Sequence, residues 1–351
     1  MRRSIRWAVP GAVVAVIAVG ALAPGASADL PAKTPQEVLV LAQEADVDAF
    51  SGSVLVSTDL GIPTALLTGL DGESSMGPGS GLGEEDRTVR VWRFGEDLAR
   101  VSAATSMGEQ TLIRNGDQLW YYDSDAAVVR TGEVPDKPSD SSAAPWSGQE
   151  IPDPTEVAEW VLDTLEPTTT ITAGEPVVVA GREAYLLLLD PTQAGTLIGE
   201  VAMAVDAQTG MVLQVAITAD GASEPAVDVA FTSFDPTPPA ADVFALDTPP
   251  GASVEPFDTP GGHSAQGKPT SPTMPRPEVI GEGWTSVVVL PPHDAAGGTT
   301  GTDEMPIPDE VLQPVPGGAV LTTSLLSVML ADDGRVLVGA VTPEVLAAAA
   351  A

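Results

Sequence analysis

The chain lacks cysteine and contains only two histidines and three lysines. Without cysteine, disulfides, thiolate nucleophiles and cysteine-based zinc sites are excluded. Both histidines, His263 and His293, lie beside glycine or proline in loop-like segments, and no Gly-x-Ser-x-Gly nucleophile motif is present. We therefore predict a non-enzymatic protein with no catalytic residue, no metal site and no cofactor. A secreted hydrolase with a Ser–His–Asp triad is kept as a third alternative.

Positive charge is also scarce. The sequence has 15 lysines and arginines against 49 acidic residues, which gives a formal net charge of −34. Because phosphate contacts require lysine and arginine, we expect no nucleic-acid partner. Arginine outnumbers lysine and alanine, glycine and valine are abundant, as in proteins from GC-rich actinobacterial genomes. Hydrophobic residues make up 43% of the chain, enough to build one large or two ordinary domains.

The first 28 residues have the pattern of a signal peptide. Arg2, Arg3 and Arg6 form a basic start, residues 7–23 are largely apolar, and Ala26-Ser27-Ala28 offers a small-x-small cleavage site. We predict export with cleavage after residue 28, so that the protein is secreted or associated with the cell envelope. An uncleaved N-terminal anchor is the alternative.

Two helix starts stand out in the remaining sequence. Thr34, Pro35 and Glu37 form a capping box with proline at the first helical position, which predicts a helix over 35–47. The run Asp153-Pro154-Thr155-Glu156 repeats this signal and predicts a second helix over 154–165.

Most other segments alternate between apolar and polar residues, as strands do. Asn115-Gly116 is a strong hairpin signal, because both residues tolerate positive φ. Ten or eleven strands with two early helices predict a mostly antiparallel meander within a domain of residues 29–255. A Pro/Gly-rich linker follows over 256–278. Residues 279–351 then predict a small α+β unit with strands at 283–290, 320–330 and 335–341 and a C-terminal helix.

Several segments resemble known envelope proteins. The hairpin Asn115-Gly116-Asp117-Gln118-Leu119-Trp120-Tyr121-Tyr122 is similar to one in the middle of LolA/LolB-like and MucB/RseB-like proteins. The stretches 179–191 and 204–210, and Val243-Phe244 with 249–252, also resemble the MucB/RseB-like pattern. The similarity covers about residues 34–255, and the tail 322–343 looks like that of actinobacterial members.

The resemblance implies a fold and two kinds of function. The fold would be a curved, half-open antiparallel β-barrel, mainly β in class, whose apolar concavity is covered by helices. LolA-type members carry lipoproteins between membranes, whereas RseB-type members bind an anti-sigma factor. We therefore expect a carrier or chaperone that binds the acyl chain of a lipid or lipoprotein. The alternative is a regulatory module for a membrane partner such as an anti-sigma factor or an ABC exporter, and in either case we expect a monomer.

Three sets of candidate residues follow from this expected fold. The ligand cavity would be lined by apolar and aromatic side chains: Val54, Val56, Trp92, Phe94, Leu112, Trp120, Tyr122 and Leu187. The two helices would form a lid through Val38, Leu41, Val161 and Leu165. Arginines that bond helix-end carbonyls would latch the lid, and the candidates are Arg90, Arg93 and Arg100. The plainer interpretation is that the aromatic residues fill a core and the arginines form surface ion pairs.

Overall fold

The computed structural model describes residues 30–62, 86–105, 107–134, 168–245, 247–257, 278–291 and 311–351. The predicted signal peptide, most of the linker and the second predicted helix, with Val161 and Leu165, lie outside the described residues. Within them the protein is built from two β-sheets and two α-helices.

The first sheet has thirteen strands and is open, which confirms the predicted unclosed, mainly antiparallel architecture. Its strands are β1 (Ala49–Thr58), β2 (Arg87–Phe94), β3 (Leu98–Ala104), β4 (Glu109–Asn115), β5 (Gln118–Asp123), β6 (Val128–Glu133), β7 (Thr169–Ala173), β8 (Val177–Val179), β9 (Arg182–Pro191), β10 (Ile198–Asp206), β11 (Val212–Ala219), β12 (Pro225–Asp235) and β13 (Ser253–Pro256). The order is β13-β6-β5-β4-β3-β2-β1-β12-β11-β10-β9-β7, with β8 paired to β9. The expected ten or eleven strands are exceeded. The strand predicted over 176–180 is present as β8, whereas β13 was not predicted, because its four residues are too few for alternation to reveal it.

The second sheet has six strands and does not continue the first. It contains β14 (Glu278–Ile280), β15 (Val287–Leu290), β16 (Gln313–Val315), β17 (Gly318–Thr322), β18 (Ser327–Ala331) and β19 (Val336–Gly339), and the helix α2 (Pro343–Ala350) packs against it. The single strand predicted over 320–330 is wrong. Thr323 turns the chain there, because its hydroxyl accepts from the Leu326 amide at 3.0 Å. The strand predicted over 283–290 is shorter than expected, because Gly283–Thr285 form a 3-10 helix and β15 begins only at Val287.

The predicted first helix is present as α1 (Pro35–Gln43), with both bonds of its capping box formed. Val38 and Leu39 are buried against an apolar part of the first sheet formed by Tyr185, Leu187, Leu189 and Val205. The helix ends where it meets the β10–β11 turn. Gly210 lies there with φ +73°, and a Cβ at this position would collide with the Leu41 carbonyl oxygen.

The main core of the first sheet lies elsewhere. Phe50, Phe231 and Phe234 pack as a cluster with ring centroids 5.1–6.2 Å apart. Val54 and Val89 belong to the same core. The second sheet has its own core around Met329, Leu337 and Leu346.

The loop between β9 and β10 joins the two sheets. Its Thr196 forms a β-bridge with Val341, and the Leu197 amide donates to the Ala340 carbonyl at 2.8 Å. Beside it, the Trp284 amide donates to Gln193 Oε1 at 2.8 Å, and the Trp284 indole N–H donates to Thr169 Oγ1 at 2.7 Å. The two sheets are therefore connected by directional hydrogen bonds as well as by the chain. Within the residues that the structure describes, no helix is long and apolar enough to cross a membrane.

Candidate ligand-binding surface

One face of strands β1–β5 carries a row of large side chains. The ladder places Trp92 opposite Arg100, Arg100 opposite Ile113, and Ile113 opposite Trp120, without a register shift. Opposite residues in an antiparallel ladder share a face. The Arg100 and Arg90 guanidinium groups lie 5.3 and 5.9 Å from the Trp92 ring centroid, a cation–π arrangement.

A polar network runs beside this row on the same face. Arg90 Nη2 donates to Glu109 Oε2 at 3.0 Å, and the Thr111 hydroxyl bonds Glu109 Oε1 at 3.0 Å. Thr111 also bonds the buried Ser102 hydroxyl at 2.8 Å, and Arg100 Nε donates to Ser102 at 3.3 Å. Because each of these groups has a partner, the network fixes the two arginines beside Trp92.

A segment after β12 crosses this face as a strap, defined here as residues 241–245 and 247–257. It starts with a 3-10 helix, Ala241–Phe244, whose Phe244 side chain is buried. Arg100 Nη1 donates to the Val243 carbonyl at 3.2 Å, and Asn115 Nδ2 donates to the Phe244 carbonyl at 3.1 Å. Farther along, Ala252 packs on the cluster of Ile113, Trp120 and Val129.

The latch candidates thus differ in their contacts. Arg90 pairs with Glu109, and Arg93 Nε donates to the nearby Gly95 carbonyl at 3.1 Å. Only Arg100, among the three, bonds a carbonyl at a helix end. That helix is the 3-10 helix of the strap and not α1. The described contacts therefore show no latch between these three arginines and α1.

The eight cavity candidates do not share one face. Four of them lie on the strap side: Trp92, Phe94, Trp120 and Tyr122. Trp92 and Trp120 belong to the row, and Phe94 and Tyr122 each lie two residues farther along the same strand, so they share this face. Val54, Val56 and Leu112 lie on the opposite side, where Val54 joins the phenylalanine core. Leu187 lies beneath α1. Phe94 is 46% exposed, whereas Val54 and Leu187 are fully buried.

The lid candidates Val38 and Leu41 do come together over an apolar floor. We define the floor by its fully or largely buried members, Tyr185, Leu187, Leu189 and Val205, and by its partly buried members, Ile171, Val201, Met203 and Val212. These residues come from strands β7, β9, β10 and β11. Of the predicted cavity residues, only Leu187 belongs to the floor. The other floor residues alternate along their strands, and this alternation predicted buried strands. It did not predict that these residues contact α1.

An ion pair holds the floor's end in place. Arg182 Nε and Nη2 donate to the two carboxylate oxygens of Asp206, each at 2.8 Å, and Asp206 also accepts from the Thr209 amide and hydroxyl. Burial opposes ionisation of Asp206, but the hydrogen bonds from Arg182 and Thr209 outweigh it and lower its pKa. Arg182, Asp206 and Thr209 lie in the stretches 179–191 and 204–210 that resemble the MucB/RseB-like pattern. This resemblance was the only feature of the sequence that drew attention to them.

A second polar pair, of which one member is buried and the other half-buried, lies on strands β11 and β12. Gln214 is 2% exposed, and its Nε2 donates to Asp228 Oδ1 at 2.9 Å. Burial raises the pKa of Asp228, and the bond from Gln214 offsets this only in part. Among the described residues, no group of three or more histidines or acidic residues could hold a metal ion.

Several solved structures have a similar fold. The MucA/MucB complex of Pseudomonas aeruginosa is 15% identical, covering 89% of this chain and 95% of that chain with a TM-score of 0.45. A LolA superfamily protein from Nitrosomonas europaea is 11% identical, covering 61% and 99% with a TM-score of 0.25. An outer membrane lipoprotein-sorting protein domain described as putative, from Vibrio parahaemolyticus, is 9% identical, covering 57% and 91% with a TM-score of 0.21. Neither a protein-family model nor a curated protein matches the chain.

Proposed function

We propose that this protein is an exported, non-catalytic binding protein of the cell envelope that holds the acyl chain of a lipid or lipoprotein. The observation that carries the proposal is the apolar floor beneath α1. Four of its members are at most 7% exposed, yet they are covered by a helix of only nine residues. A helix this short is marginal by itself and depends on the sheet for its stability.

The energies of the helix and of an acyl chain on this floor are of similar size. Burial of Val38 and Leu39 contributes roughly 1.5–3 kcal/mol for each side chain. An acyl chain gains about 0.8 kcal/mol for each buried CH2 group. About four to eight CH2 groups on the floor would therefore replace what α1 contributes. In this proposal α1 is the lid and its displacement admits the ligand.

The experiment is native mass spectrometry of residues 29–351 purified from their own envelope, with lipid extraction of the same sample. We expect a discrete additional mass of lipid size. A matched pair of variants locates it: Met203→Gln places a polar group in the floor and should reduce the retained lipid, whereas Met107→Gln changes a methionine that is 85% exposed. An apo mass that stays unchanged after addition of fatty acids or acylated peptides would overturn the proposal.

A second candidate is a regulatory module that binds a membrane protein such as an anti-sigma factor or a transporter. The observation that favours it is the hydrogen-bonded joint between the sheets at Gln193, Thr196 and Trp284, which presents the second sheet in a fixed position. Trp284→Ala should weaken capture of such a partner and leave lipid retention unchanged; weakened lipid retention with intact capture would count against this candidate.

A further inference from the structure

The strap ends in a strand that closes one edge of the first sheet. β13 pairs with β6 in parallel, the one parallel pairing among the described strands of this sheet. The Ser253 amide donates to the Ala127 carbonyl at 2.9 Å, and the Phe257 amide donates to the Thr131 carbonyl at 2.8 Å. Without β13, the edge of β6 would present unpaired backbone groups, which readily pair with another extended chain.

β13 is held much less firmly than the start of the strap. All four of its residues are exposed, and Val254 is 58% exposed. By contrast, Phe244 is 1% exposed. Pro256 has no N–H to donate, and parallel ladders are less stable per residue than antiparallel ones. The strand can therefore leave the edge while the 3-10 helix stays bound to Arg100 and Asn115.

The turn between β5 and β6, which accepts a hydrogen bond from β13, has an unusual backbone conformation. Ala127, whose carbonyl receives the Ser253 amide, has φ +52°, a left-handed conformation that is uncommon outside glycine. Such a conformation persists where surrounding contacts hold it in place. The bond from β13 is one of these contacts. The others include the Asp123 carboxylate, which accepts from the Asp125 and Ala126 amides at 2.9 and 3.1 Å within the turn.

The side chains of β13 show which chemistry the edge accepts. Val254 lies opposite Val129, next to Tyr122 in the ladder, so this position favours an apolar residue. Glu255 lies opposite Arg130, whose guanidinium is 5.9 Å from the Tyr121 ring centroid, so this position favours a carboxylate. Gly132 leaves room for the Phe257 ring, because a Cβ there would lie 3.1 Å from Phe257 Cδ2.

We propose that the edge of β6 is a docking site for an extended segment of a partner protein that alternates apolar and acidic residues, and that β13 occupies this site as an internal ligand until the partner displaces it. The site lies on a different edge from the acyl-chain floor and does not depend on that function. Binding occurs by strand addition: backbone pairing supplies affinity, and the Val129 and Arg130 positions supply selectivity.

The test uses residues 29–351 and a fluorescent peptide with the sequence of residues 250–257. The double variant Val254→Asp, Phe257→Ser releases β13, and Met107→Asp is the control for adding an acidic residue at an exposed apolar site. We expect the released variant to bind the peptide about tenfold more tightly than the wild type, because the internal ligand no longer competes. With Arg130→Glu added, the released variant should no longer bind this peptide more tightly than the wild type. A peptide that carries arginine in place of Glu255 should then bind tightly again.

Two results would overturn the proposal. One is a folded double variant that does not bind the peptide, or that binds it equally well with Arg130→Glu. The other comes from hydrogen exchange of the wild type, which needs no variant. The Phe257 amide should exchange about tenfold faster than the Val134 amide, which bonds the Asp117 carbonyl at 2.8 Å just beyond the same end of β6. Equal protection of the two amides would mean that β13 does not leave the edge. Apart from these two results, dimerisation that depends on protein concentration would overturn the choice of partner, because it would assign the edge to a second copy.

Discussion

Arg182 and Asp206 form a bidentate ion pair across the start of β9 and the end of β10, with both N···O distances at 2.8 Å. The Asp206 side chain is 1% exposed and that of Arg182 is 18% exposed. Asp206 also fixes the β10–β11 turn by accepting from Thr209, and the next residue of that turn, Gly210, lies against the end of α1. One carboxylate thus connects the hairpin, the turn and the lid helix.

Substitution Asp206→Ala should lower the free energy of unfolding by about 3 kcal/mol, because it leaves the Arg182 guanidinium without its partner. Urea denaturation measures the change. Asp333→Ala is the matched control. Asp333 also pairs with an arginine, Arg335, and accepts from the Arg335 amide at 3.0 Å, but its side chain is 51% exposed, so the loss should be clearly smaller. Equal effects of the two substitutions would show that burial of the Asp206 pair does not matter.

The same substitution should lose its effect in acid. The folded pKa of Asp206 is lowered, so its contribution is complete above the usual aspartate pKa of 3.8 and disappears as the pH falls through the folded value. The difference in unfolding free energy between wild type and Asp206→Ala should therefore shrink below this pH. Urea denaturation at a series of pH values tests this, and a constant difference would contradict the assigned ionisation.

Asp228 should behave with the opposite sign. Burial raises its folded pKa above 3.8, so ionisation destabilises the fold as the pH rises through the folded value. Asp228→Asn should raise the melting temperature at pH 7, and the gain should vanish at pH values below the unfolded pKa, where both side chains are neutral. Asp235→Asn, at an exposed position on the same strand, is the control and should give no comparable gain. A loss of stability at pH 7 in Asp228→Asn would show that the ionised carboxylate stabilises the fold.

Two glycines separate backbone strain from contact with α1. Gly210 and Gly221 have φ of +73° and +75°, but only Gly210 has atoms near the position of a Cβ, among them the Leu41 carbonyl oxygen. Gly221→Ala should cost about 1–2 kcal/mol from the left-handed backbone alone. Gly210→Ala should cost clearly more and should loosen α1. Chemical denaturation gives the energies, and equal costs would mean that α1 does not press on this turn.

The sequence predicts local structure well where a segment carries its own signal. The capping box at Thr34 and the hairpin at Asn115-Gly116 both form, since each depends on residues a few positions apart. Contacts between distant segments were not predictable in this way. The three candidate arginines were predicted to bond the ends of the lid helices. Arg100 bonds the Val243 carbonyl of the 3-10 helix at residues 241–244, a segment that has no periodic pattern. The pairing of β13 with β6 was likewise invisible in a stretch rich in proline.

The cap of α1 gives a direct test of the lid. Thr34 is exposed, and its hydroxyl accepts from the Glu37 amide at 3.3 Å, so Thr34→Ala weakens the helix by about 1 kcal/mol without touching the floor. If α1 must open for an acyl chain to bind, the open population and the apparent affinity for a fluorescent long-chain fatty acid should both rise by up to about fivefold. Gln36→Ala, at an exposed position of the same helix, leaves the cap intact and should not raise the affinity. An affinity that stays the same or falls, while hydrogen exchange shows α1 to be weakened, would mean that α1 is a fixed part of the core and not a lid.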